Sequence, residues 1–154
     1  MSCCASGKTI RGAANSMAVK RYVLDSYAVL AYLEDSAGAD FIEELLHKSI
    51  DRQCELFMCV VNYGEVIYIH ERKRGLTKAQ ETIARLAELP VNIIDADSVC
   101  TLRSAHIKAN YPISFADCYA AALAAVKDAV VVTGDPEFAC LEEAGIIQVE
   151  WLGR

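Results

Sequence analysis

The chain has 154 residues, roughly half of them apolar, and a formal net charge of −6. That is enough to bury one substantial core and short of the length at which chains usually divide, so one domain is expected. The acidic balance repels polyanions and excludes a general nucleic-acid binder held by charge alone.

The first sixteen residues, MSCCASGKTIRGAANS, are small, polar and aperiodic, and predict a disordered extension over residues 1–18 ahead of a single folded domain over 19–154. Ser6-Gly7-Lys8-Thr9 imitates the end of a phosphate-binding loop, but Ser2 stands where its first glycine belongs and no strand precedes it. The seven cysteines form no C-x-x-C pair, and several lie in apolar runs, which suits free thiols in a reducing, cytoplasmic setting. No stretch reaches the roughly 18 consecutive apolar residues of a membrane span, so no membrane partner is expected.

From Tyr22 onward, short apolar runs alternate with longer helical patterns. Strands are predicted at Tyr22 to Leu24, Leu56 to Val60, Val91 to Ile94, Val130 to Val132 and Ile146 to Trp151. Between them the spacing predicts helices at about Ala28 to Leu33, Ala39 to Ile50, Tyr63 to Arg74, Lys78 to Leu89, Ser98 to Ala109, Phe115 to Lys127 and Glu137 to Ala144. In the fourth of these, Ala79, Ile83, Leu86 and Ala87 mark the expected buried face. Gly75 and Pro112 break the two places where consecutive helices join strands. The implied fold is α/β, three layers, with a central, mostly parallel sheet of about five strands between helices.

In such a sheet, sites form beyond the carboxyl ends of the strands, where helix N-termini point inward. Asp25 follows the first strand and also reads as a helix N-cap. Asp135 follows Val130 to Val132 and precedes Pro136, again a good cap. Asp117 lies three residues after Ser114, the spacing of a capping box. Glu65 differs, because it interrupts the mostly apolar run Val60 to Ile69, where a lone carboxylate is costly unless paired or bound to a cation. Taken together, four carboxylates at one sheet edge would raise one another's pKa values unless divalent ions neutralised them. Oxygen donors select a hard cation, Mg²⁺ or Mn²⁺. His47, His70 and His106 are scattered and offer no competing zinc site.

Four strings, Tyr22-Val23-Leu24-Asp25-Ser26, Val61-Asn62-Tyr63-Gly64-Glu65-Val66, Ile113-Ser114-Phe115-Ala116-Asp117-Cys118 and Val131-Val132-Thr133-Gly134-Asp135-Pro136, follow the order and spacing of the PIN-domain family. The chain resembles that family from about Tyr22 to its end, most of all the VapC-type toxin subunits of VapBC toxin–antitoxin pairs. The resemblance implies a Mg²⁺- or Mn²⁺-dependent ribonuclease acting on structured RNA of the transfer or ribosomal class. By position, Asp25, Glu65, Asp117 and Asp135 match the family's acidic metal-binding set, with Asp25 and Asp117 foremost. Ser26, Asn62, Ser114 and Thr133 match its supporting polar positions. The resemblance also implies a homodimer and a small inhibitory antitoxin.

Other classes fit less well. A phospho-receiver would need an acidic pair after the first strand, a haloacid-dehalogenase-type phosphatase an aspartate at Tyr27, and a dinucleotide fold a glycine-rich first turn. The remaining rival is a PIN fold serving RNA processing or protein binding without a toxin role. For RNA contacts, His70, Arg72, Lys73 and Arg74 form one candidate basic patch, with Lys20 and Arg21 a second.

Overall fold

In this computed structural model, residues 18–153 are described. The disordered extension expected over residues 1–18 therefore lies, residue 18 excepted, outside the described residues. Five strands, β1 (Lys20–Leu24), β2 (Cys54–Cys59), β3 (Asn92–Ile94), β4 (Val130–Thr133) and β5 (Val149–Trp151), form one parallel sheet in the order β3-β2-β1-β4-β5. The intervening helices are α1 (Ser26–Leu33), α2 (Ala39–Ile50), α3 (Val60–Arg74), α4 (Leu76–Ala87), α5 (Ser98–Asn110), α6 (Phe115–Lys127) and α7 (Ala139–Glu143), with a 3₁₀ turn at Pro136–Phe138.

Alternation along the strands divides the core. Tyr22, Leu24, Leu56 and Met58 face α1 to α4, while Val23, Phe57, Cys59 and Val131 face α5 to α7. A buried parallel sheet needs cover on both sides, and this pattern supplies a three-layer α/β/α arrangement. Each fully buried leucine or isoleucine, such as Leu24, Leu56 and Ile42, contributes about 1.5–3 kcal/mol by leaving water. From β1 the chain winds outward through β2 and β3 with its helices on one face. It then crosses to β4 and β5 with its helices on the other. The boundary between β1 and β4 is thus the switch point of the topology, the place beyond the strand ends where sites form in sheets of this kind.

Val60, expected to close the second strand, instead opens α3, which was expected from Tyr63, and Glu137 lies in the 3₁₀ turn rather than opening the last helix. Two further elements are corrected. The last strand starts at Val149 rather than Ile146, because Gly145, at a φ of 72°, ends the preceding turn and Ile147 is buried before pairing begins. The buried face of α4 is Ala79, Thr82 and Leu86, whereas Ile83 is 41% exposed and Ala87 also faces outward. The helix is turned so that Thr82 meets His70 of α3, with Thr82 Oγ1 2.8 Å from His70 Nδ1. Among the described residues, no helix is long and apolar enough to cross a membrane.

Phe138 is fully buried in the 3₁₀ turn that follows Asp135, so it ties the end of β4 to the core. Phe138→Ala is expected to lower the unfolding free energy by about 3–5 kcal/mol in a denaturant titration. A loss below about 1 kcal/mol would contradict this packing role.

Candidate active site

The site is built from strand ends that local sequence turns into helix starts. The register pairs Leu24 with Val132, which brings the next residues, Asp25 and Thr133, side by side across the switch point. Asp25, 1% exposed, accepts the Ala28 amide at Oδ1 (2.8 Å) and the Thr133 hydroxyl at Oδ2 (2.5 Å). The cap reading and the site reading of Asp25 thus describe the same carboxylate. Thr133 Oγ1 in turn accepts the Asp135 amide at 3.0 Å, and Asp135 Oδ1 accepts the Glu137 amide at 2.9 Å.

The other helices contribute from both layers. Because α3 begins directly after β2, Glu65 stands beside α1, where Ser26 donates its hydroxyl to Glu65 Oε2 at 2.5 Å. At the start of α6, the Ser114 hydroxyl donates to Asp117 Oδ2 at 2.6 Å and accepts the Asp117 amide at 3.2 Å. The reciprocal half of the expected capping box is missing, since the Ser114 amide donates instead to Glu137 Oε2 at 3.1 Å. Asn62, fully buried, donates Nδ2 to the carbonyl of Ala116 at 3.0 Å and so braces α3 against the turn carrying Asp117.

The tightest grouping is Asp117, Asp135 and Glu137, one carboxylate oxygen of each lying within 4.8 Å of the others. Asp25 and Glu65 lie around it, close enough for their charges to act on the group. All four sequence-predicted acids therefore reach one edge, together with Glu137, which the sequence reading passed over. Its signal was weak, because an acid in the first turn of a helix already has an ordinary role against the helix dipole. The basic patches are corrected. Lys20 and Arg21 begin β1, about 16 Å of strand from Asp25 at the opposite edge. His70 is buried against Thr82 rather than presented to solvent, although Arg72, Lys73 and Arg74 remain exposed.

Crowding leaves an electrostatic mark. Burial pushes the Asp25 carboxyl up to about 8, eased by the bonds from Thr133 and Ala28 and raised further by Asp117 and Asp135. Burial also pushes Asp117 up to about 6, opposed by the Ser114 bond and reinforced by Asp135, Glu65 and Glu137. Among the described residues, none of the ion pairs includes any of these five acids. An all-carboxylate donor set without a basic counter-charge fits a hard divalent cation, and it offers zinc no histidine or cysteine.

The PIN domain family model matches residues 22–143, and the chain belongs to that family. Among curated proteins, none matches this chain by sequence. Solved structures share the fold. DNA-bound VapBC from Salmonella typhimurium is 19% identical with a TM-score of 0.67, over 85% of this chain and 97% of that one. VapBC-5 of Mycobacterium tuberculosis, a member of the VapBC family of toxin–antitoxin systems, is 18% identical with a TM-score of 0.57, over 85% and 98%. VapC20 of Mycobacterium tuberculosis, a sarcin–ricin loop-cleaving toxin, is 16% identical with a TM-score of 0.59, over 84% and 98%.

The raised Asp25 and Asp117 values make stability depend on pH when no metal is bound. The folded state holds these protons more tightly than the unfolded chain, so folding is favoured below the ordinary carboxyl range near 4 and loses this contribution as pH rises through about 8. In EDTA, the melting temperature is expected to fall between about pH 5 and pH 8.5. Asp25→Asn, which keeps a capping acceptor, should flatten that fall. An equal slope in the variant would show that Asp25 is not the group responsible.

Proposed function

We propose that this chain is a Mg²⁺- or Mn²⁺-dependent ribonuclease that hydrolyses phosphodiester bonds of structured RNA, of the transfer or ribosomal class, and acts as the toxin of a toxin–antitoxin pair. The observation that carries the reading is the convergence of Asp25, Glu65, Asp117 and Asp135, with Glu137, at the switch point of a PIN domain. The VapBC and VapC20 likenesses support the toxin assignment and the RNA substrate.

Asp117, Asp135 and Glu137 would hold the cation, with Asp25 adjoining them. When bound, the cation supplies Lewis-acid polarisation of the scissile phosphate and neutralises the charge that develops on it. Thr133 and the Ala28 amide fix the Asp25 carboxylate, and Ser114 fixes Asp117, so the oxygens facing the phosphate need little reorganisation. Glu65, half-buried and held by the Ser26 hydroxyl, would orient an attacking water and accept its proton. The water oxygen bonds to phosphorus as the bond to the leaving ribose oxygen breaks; that oxygen takes up a proton from solvent, and Glu65 returns its own to solvent.

An antitoxin partner presenting cationic side chains to this edge would supply the missing counter-charge and block it, and the active form is a homodimer in the cytoplasm. Purified protein incubated with total RNA and Mg²⁺ or Mn²⁺ should yield discrete fragments and none in EDTA. Asp25→Asn and Asp117→Asn should each reduce cleavage by more than about 100-fold, beyond the loss typical of a group that merely orients a metal ligand. A folded wild-type protein that cuts nothing with either metal would favour the rival reading, a PIN fold that binds other proteins.

A further inference from the structure

Two large exposed apolar side chains adjoin the acidic edge in sequence: Tyr27, two residues after Asp25, and Phe115, two before Asp117, exposed by 43% and 46%. Scattered exposed rings are ordinary. Tyr27 is distinguished by what holds it. A Cβ added at Gly134 would lie 2.3 Å from its Cε1, 2.6 Å from its Cζ and 2.9 Å from its hydroxyl oxygen. The phenol ring thus rests on the backbone between Thr133 and Asp135, where only a glycine leaves it room. Among the described residues its hydroxyl makes no hydrogen bond, so packing on Gly134, rather than a polar tether, sets the ring's position.

A strand of RNA approaching this edge meets five acids on a chain of net charge −6. A bound cation offsets that repulsion only at the phosphate it touches, so neighbouring nucleotides must be held by contacts that do not depend on charge. Stacking on an aromatic ring is such a contact, and it is available only where bases are unpaired. A ring already seated on the backbone loses little freedom when a base covers it.

We propose that Tyr27, seated on Gly134, is the platform on which a base beside the scissile phosphate stacks. This rests on the ribonuclease reading and assigns one of its substrate contacts.

The test measures binding of a phosphorothioate RNA single strand, which resists cutting, carrying 2-aminopurine as a stacking reporter, in Mg²⁺. Wild type and Tyr27→Phe should bind and quench the reporter. Tyr27→Leu should bind about 5- to 150-fold more weakly and lose the quenching. Gly134→Ala should behave like Tyr27→Leu although the ring is still present, because only the far end of an exposed side chain has to move aside. All variants should melt near wild type and bind a duplex of the same sequence alike. Equal single-strand binding and quenching by wild type, Tyr27→Leu and Gly134→Ala would overturn the platform while leaving the ribonuclease reading intact. Wild type that neither binds nor cuts any RNA would overturn both.

Discussion

The hydroxyl of Thr133 joins the two strands on which everything at the acidic edge depends. It is fully buried, it donates to Asp25 at the end of β1, and it accepts the amide of Asp135 as the chain leaves β4. These two bonds tie the ends of β1 and β4 together at the topological switch point, and the remaining acids are placed relative to them. Ser26, next to Asp25, reaches Glu65, while Glu137, two residues beyond Asp135, reaches the turn that carries Asp117. Hydroxyls and amides orient each carboxylate, and no described cation neutralises any of them.

Such an arrangement opposes stability. Burial strips these carboxylates of hydration and neighbouring acids repel them further, which is why the Asp25 and Asp117 carboxyls are pushed above the usual carboxylate range. The two apolar layers on either side of the sheet, with α6 buried from Asp117 to Ala124, provide the favourable term that tolerates this strain. A divalent cation bound there would remove the repulsion, so metal binding and folding would reinforce each other.

Much of this was legible in the sequence. Strand and helix alternation identified the layers, and the acids after Leu24 and Val132 marked the sheet edge, because a carboxylate that follows an apolar strand and opens a helix has few other places to be. What stayed hidden depends on rotation and distance. The buried face of α4 turned on the Thr82–His70 bond, which no periodicity encodes. Glu137 was masked by its ordinary place in a first turn, and its partner Ser114 lies 23 residues away. The packing of Tyr27 on Gly134 likewise joins positions far apart in the chain.

The central claim is that these carboxylates form one cation site, and Mn²⁺ titration followed by electron paramagnetic resonance tests it most directly. Saturable binding by the wild type, weakened on the order of 100-fold in Asp117→Asn while the fold is kept, is the result the account predicts. Mn²⁺ that stays free at millimolar concentration, or that binds the variant as tightly as the wild type, would contradict it.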